Sequence, residues 1–180
     1  RNVEFINTDI PDCFEIRNFH QADDRGEFIK VYNSMEYNEK AFDFMIEEMY
    51  FTVSRPGVFR GMHFQLPTHD HTKLVFCNYG SVQDFILDLR KDSPLFGKVA
   101  EITLSKELRN AVLIPRGCAH GFYVPDEESM LSYLVETGYE PDVDTGLLWN
   151  SIGHDFGFKD PIISERDKQL TDFNTFNSPF

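Results

Sequence analysis

The stretch Lys73-Leu74-Val75-Phe76-Cys77-Asn78-Tyr79-Gly80-Ser81-Val82-Gln83-Asp84-Phe85-Ile86-Leu87-Asp88-Leu89 decides the fold. It holds two apolar runs, Lys73–Tyr79 and Val82–Leu89, parted by Gly80-Ser81, and the pattern recurs downstream at Val99–Leu104, Ala111–Ile114, Gly121–Val124 and Met130–Val135. Between them stand Asp92-Ser93-Pro94, Arg109-Asn110, Pro115-Arg116-Gly117 and Pro125-Asp126, residue types that set turns and end strands. Strands of about 4–8 residues at near-regular spacing predict an antiparallel sandwich or jelly roll, so the fold class is all-β. The alternation over Val82–Leu89 is imperfect, which predicts that some strands are covered on both faces.

Upstream, the polar run Glu36-Tyr37-Asn38-Glu39-Lys40 followed by Phe42 and Phe44 predicts one short helix over Ser34–Phe44. Downstream, the last thirty residues mix Gly, Pro, Asp and Ser with isolated apolar positions, predicting short turns and a helix laid over the barrel. With 41% hydrophobic residues and no repeat, low-complexity tract or linker, residues 1–180 read as a single domain. Eighteen Phe and seven Tyr suit the pleated, half-buried surface of a sheet.

A net charge of −13 argues against nucleic acid as a partner, because neutralising a phosphate backbone needs a basic stripe. A small anionic ligand in a locally basic pocket stays open. Cys13, Cys77 and Cys118 are odd in number and unpatterned in spacing, which fits reduced, buried thiols. No run approaches the roughly 18 apolar residues of a membrane span, and Arg1-Asn2-Val3-Glu4-Phe5 lacks the form of a signal peptide. The expectation is a soluble, cytoplasmic protein with no membrane partner.

The densest chemistry lies in Arg60-Gly61-Met62-His63-Phe64-Gln65-Leu66-Pro67-Thr68-His69-Asp70-His71-Thr72-Lys73. One reading is a metal site: His69 and His71, two apart, would share one face of a strand, and His120 of Pro115-Arg116-Gly117-Cys118-Ala119-His120 would join them. Against it, no carboxylate follows the His pair at the expected spacing, and Lys73 opposes a bound cation. The other reading is proton transfer at a carbon beside a ketone. That needs a base near neutrality, a cation or donor for the developing enolate, and an acid to return the proton. His63 supplies the base, Lys73 and His120 the enolate contacts, and a Tyr the acid, with no metal or other cofactor required.

Arg60-Gly61-Met62-His63-Phe64-Gln65, Lys73-Leu74-Val75, Asp88-Leu89-Arg90-Lys91-Asp92-Ser93-Pro94-Leu95-Phe96-Gly97 and Ile114-Pro115-Arg116-Gly117-Cys118-Ala119-His120-Gly121-Phe122 closely resemble, in order and spacing, the dTDP-4-dehydrorhamnose 3,5-epimerase family. The resemblance extends from Asp24-Arg25-Gly26-Glu27-Phe28 to Tyr139-Glu140-Pro141, Trp149-Asn150 and Ile163-Ser164-Glu165-Arg166-Asp167, covering nearly the whole chain. It implies a cofactor-independent, homodimeric jelly roll of the cupin type with short peripheral helices, acting on a nucleoside-diphosphate 4-keto-sugar. It further implies His63 as base, Asp167 as the carboxylate that orients it, and Tyr133 as acid on the opposite face. Lys73 and His120 would meet the keto oxygen and its surroundings, Arg60 the sugar and inner phosphate, and Arg25 and Phe28 the diphosphate and base. Gln65 and Tyr139 belong to the same matched motifs and are expected at the substrate.

The chain departs from the family pattern where substrate identity would be set. Lys30 replaces an acidic residue near the base, Glu48-Met49-Tyr50 replaces Gln-x-Asn, His71 replaces a Gln, and Leu134 replaces the Lys after the family Tyr. A donor-only ammonium in place of an acceptor-only carboxylate prefers a different base edge. A GDP-linked sugar, and a larger one such as a 4-keto-heptose, therefore compete with the thymidine-linked hexose. Inversion at C3 alone, a keto-sugar isomerase on the same scaffold, a metal-dependent cupin and a non-catalytic sugar-binding cupin are the alternatives.

Overall fold

The computed structural model describes residues 3–40 and 42–180. The first two positions of the Arg1–Phe5 stretch and position 41, inside the expected helix, lie outside the described residues. Among the described residues, thirteen strands form two antiparallel sheets and a separate hairpin. The first sheet runs β1 (Glu4–Asn7), β2 (Phe14–Arg17), β10 (Asn110–Ile114), β7 (Lys73–Tyr79), β12 (Ser129–Val135) and β5 (Glu48–Ser54). The second runs β13 (Asp144–Gly146), β6 (Phe59–Gln65), β11 (Cys118–Tyr123), β8 (Ser81–Asp88) and β9 (Val99–Ser105). Strands β3 (Phe19–Asp23) and β4 (Gly26–Lys30) pair only with each other.

The two large sheets bury between them Val75, Val82, Ile86, Val112, Phe122, Leu131 and Val135. Because side chains alternate along a strand, the other faces also need cover. Behind the second sheet, Phe59, Met62, Phe64, Phe85 and Leu87 pack against the C-terminal segment, including Phe158, Ile163, Phe173 and Phe176. That segment forms 3-10 turns at Trp149–Ser151 and Phe173–Thr175 and a short helix α2 (Glu165–Lys168), matching the expected turns and helix over the barrel. Behind the first sheet, Leu74, Ala111, Leu113 and Leu134 meet Tyr37, Phe42 and Phe44. Strand β8, buried on both faces from Asp84 onward, answers to its imperfect alternation.

The upstream helix α1 is shorter than the pattern predicts, spanning Ser34–Glu39. Asn33 caps its start by accepting from the Met35 N–H at 3.0 Å. Phe42 N–H returns to Tyr37 O at 3.1 Å, and Phe42 stacks on Phe5 while Phe44 meets Tyr32 edge-on. These aromatics gain more by lying across the sheet than by continuing a helical face. Among the described residues, no helix is long and apolar enough to cross a membrane.

Candidate active site

Inward-facing residues of both sheets line a cavity of about 370 Å³. The second sheet contributes His63 and Gln65 from β6 and His120 from β11; the first contributes Lys73, Tyr133 and, from β5, Glu48, Tyr50 and Thr52. His63 and Tyr133 thus reach the same space from facing sheets.

Each imidazole is held by a carboxylate from behind. His63 Nε2 lies 2.7 Å from Asp167 Oδ1, and Asp167 Oδ2 accepts the Gly61 N–H at 3.2 Å. Asp167 is buried because the chain turns into α2 there: Ser164 caps the helix, accepting the Asp167 N–H at 3.0 Å. The Ser-x-x-Asp spacing is therefore a cap three residues before the residue it presents. An ionised carboxylate on Nε2 keeps the proton there and leaves Nδ1 with its lone pair. His120, the cross-strand partner of His63, has Nε2 2.6 Å from Asp84 Oδ1, and both residues are buried. Asp84 Oδ2 has no hydrogen-bond partner among the described residues. Burial pushes the Asp84 carboxyl upward, against the pull of His120 and Lys73.

Lys73 opens β7 and is only 8% exposed. Burial pulls its ammonium down to about 8, with Asp144 and Asp84 resisting the shift. Burial drives the Tyr133 phenol well above its ordinary range, so it enters the site as a protonated acid. The Tyr133 ring stacks on Tyr50 at 4.7 Å, and Tyr50, on the edge strand, keeps 41% of its surface exposed. Thr52 lies beside the Tyr133 phenol, yet its hydroxyl has no partner in hydrogen-bond geometry.

Several expected substrate contacts line the cavity with protein partners already engaged. Arg60 Nε donates to Ser54 Oγ at 2.9 Å. Glu48 accepts the Tyr139 N–H at 2.9 Å, and Gln65 bridges two loops, donating to His69 O at 2.8 Å and to Thr137 Oγ1 at 3.3 Å and accepting the Glu140 N–H at 3.0 Å. His69 and His71 do not share a strand face, as the metal reading required: they lie in the loop between β6 and β7. His71 Nδ1 sits 2.6 Å from Thr137 Oγ1, and burial with nearby Lys73 and Arg116 drops its pKa to about 3, leaving it neutral. Among the described residues no group of three or more His, Cys, Asp or Glu is arranged to hold a metal.

Arg25, Phe28 and Lys30 are not brought to this cavity. They sit on the β3–β4 hairpin, where Arg25 closes on Asp23, Phe28 is largely exposed, and Lys30 lies over the Phe19 ring. The hairpin is tied to the body through Glu27, which meets Lys106 at 2.9 Å and also Arg109. Thr52, Val135, Thr137 and Asp144 line the cavity and escaped the sequence reading, as did Asp84, which stands behind His120. Only Asp84 left a signal, a carboxylate inside an apolar run that must be paired if the strand is buried.

Comparison with known proteins adds a family. The model of the dTDP-4-dehydrorhamnose 3,5-epimerase family matches residues 7–175. The dTDP-4-dehydrorhamnose 3,5-epimerase of Shigella flexneri is 36% identical over 92% of this chain and 93% of its own length. The crystal structure of the enzyme of that name from Elizabethkingia anophelis superposes with a TM-score of 0.90 at 31% identity, covering 97% of this chain and 98% of that one. A Legionella pneumophila dTDP-6-deoxy-D-glucose-3,5-epimerase in complex with dTDP-4-keto-L-rhamnose superposes with a TM-score of 0.92 at 28% identity, over 97% and 95% of the two chains.

Proposed function

Because this chain belongs to the dTDP-4-dehydrorhamnose 3,5-epimerase family, we propose that it inverts C3 and C5 of a nucleoside-diphosphate 4-keto-sugar. The observation that carries the reading is the entry of His63 and Tyr133 into one cavity from facing sheets. Inversion requires removal of a proton from one side of a carbon and its return from the other. His63 Nδ1 takes the proton beside the ketone, and the electron pair of the broken C–H bond moves into an enolate. The Lys73 ammonium holds the developing oxyanion in a site shielded from water, where such contacts are strongest, with the His120 ring alongside it. The Tyr133 phenol then protonates the carbon from the opposite face. These steps draw on side chains alone, with no metal or organic cofactor.

The nucleotide end is assigned to Arg25, Phe28 and Lys30. A guanidinium suits a diphosphate and an aromatic ring stacks on any base. Their hairpin pairs with neither sheet, and β5, at the free edge of the first sheet, exposes Met49, Phe51 and Val53. We assign both features to a homodimer in which the hairpin of one copy completes the cavity of the other. The departures at Lys30, Glu48 and Tyr50 support a GDP-linked 4-keto-heptose over a thymidine-linked hexose, in the supply of sugars for a surface polysaccharide. The buried, free thiols of Cys13, Cys77 and Cys118 suit the reducing cytoplasm.

Incubation in deuterated water with dTDP-4-keto-6-deoxyglucose and with GDP-4-keto-heptose tests the reading by NMR. The expected outcome is deuterium at C3 and C5, faster on the GDP sugar. Exchange at neither carbon of either sugar overturns it, and exchange at C3 alone narrows it to a single inversion.

A further inference from the structure

We propose that Tyr50 is a positioning residue that locks the Tyr133 ring and so couples proton removal to inversion. The proposal rests on the reading of Tyr133 as the acid. Nothing in the family pattern supplies this role, since the position carries Asn in the Gln-x-Asn form that Glu48-Met49-Tyr50 replaces here.

The argument begins with the register of the first sheet. Tyr133 on β12 stands directly opposite Tyr50 on β5 and opposite Val75 on β7. Residues directly opposite in antiparallel strands project from the same face, so both neighbours flank the Tyr133 ring within the sheet. Val75 is fully buried, and Tyr50 presents an aromatic face at 4.7 Å and 22°. From the facing sheet, His120 meets the ring near-perpendicularly at 5.8 Å. The ring is thus confined on two sides of its own strand and from across the cavity. Removing Tyr50 leaves the β5 side open at the edge of the sheet.

The other residues on this face of β5 fit a strand that acts as a holder. Glu48 grips the Tyr139 backbone, Ser54 accepts from Arg60, and Thr52 stands beside the Tyr133 phenol with its hydroxyl unpartnered. When Tyr133 gives up its proton, the phenolate offers that hydroxyl an acceptor. Tyr50 keeps the phenol oxygen within reach both of the carbon to be protonated and of Thr52.

The chemistry supplies a readout that separates positioning from general damage. After His63 removes the C3 proton, its ring N–H exchanges with solvent. Return from His63 restores the original configuration carrying deuterium; delivery from Tyr133 gives the inverted sugar, leaving a phenolate that takes its next proton from solvent while His63 releases one. A displaced Tyr133 therefore lowers inversion while wash-in to unconverted substrate continues. The experiment follows deuterium at C3 by NMR in recovered substrate and in product, using dTDP-4-keto-6-deoxyglucose and GDP-4-keto-heptose. In Tyr50→Leu, which keeps an apolar side chain on the edge strand, the ratio of inverted product to deuterated recovered substrate is expected to fall about tenfold or more, whatever the change in total exchange. Tyr50→Phe, which keeps the stacked ring, is expected to restore the wild-type partition. An unchanged partition in Tyr50→Leu, or a Tyr50→Phe variant as impaired as Tyr50→Leu, overturns the positioning role alone. Absence of any exchange by the wild type on both sugars overturns the epimerase reading and this role with it.

Discussion

Asp167 does its work without entering the cavity. Its carboxylate takes Nε2–H of His63 and so decides which ring nitrogen is free to act. Asp167→Asn keeps the size and loses the charge, so kcat should fall about 10²- to 10⁴-fold with little change in KM, measured by steady-state turnover. Lys73 makes a pH prediction. Its ammonium is pulled down to about 8, so it is charged below that pH and neutral above it. kcat/KM should therefore decline as pH rises through about 8, and Lys73→Met should lower the rate about 10²-fold or more at pH 7 and lose that alkaline limb. A profile flat to pH 10 would remove Lys73 from the enolate. At this scale the sequence showed His63, Lys73, His120, Tyr133 and Asp167, because chemically distinctive residues sat in ordered motifs. It hid Thr52 and Thr137, since a threonine on a strand or loop carries no mark of the cavity it faces.

Between residue and molecule, the glycines beside the histidines explain the motifs that contain them. Gly61 and Gly121 face each other across β6 and β11, where a Cβ on Gly61 would lie 2.6 Å from the Gly121 Cα. A Cβ on Gly121 would fall 2.6 Å from Met62 Sδ and 2.9 Å from Arg60 O. The close approach sets His63 beside His120 and lets Gly61 N–H reach Asp167. Gly121→Ala should cost about 1–3 kcal/mol in denaturant unfolding through overpacking, and kcat should fall with it. Strands β7 to β12 were legible to within a few residues because each is an apolar run closed by Gly, Pro, Asp or Asn. The earlier strands were not, since β3 and β4 are largely exposed and lack a continuous apolar run, and the apolar Met49-Tyr50-Phe51 of β5 is not closed by Gly, Pro, Asp or Asn. The helix over Ser34–Phe44 was read too long because Phe42 and Phe44 fit a helical pattern as well as they fit an aromatic cluster.

For the molecule as a whole, the sheet edge and the free hairpin set a further expectation. Sedimentation should report twice the 21.0 kDa chain mass. Arg25→Ala should raise KM about tenfold or more through the lost diphosphate contact, while exchange at saturating substrate stays near the wild-type rate. A monomer, or a loss of kcat with KM unchanged, would count against the hairpin as the nucleotide holder. The hairpin's place away from the cavity was not legible, because motif order along a chain does not fix where a two-stranded excursion lies relative to the sheets.

The two walls of this barrel tolerate change unequally. On the wall of His63 and His120, each ring leans on a buried acid, so a substitution there strands a buried charge. The opposite wall ends at β5, which has a neighbour on one side only, and two of the four inward positions on that strand, Glu48 and Tyr50, depart from the family pattern. The border strand can thus change shape without exposing or stranding a buried ion, a freedom the wall of paired rings and acids lacks.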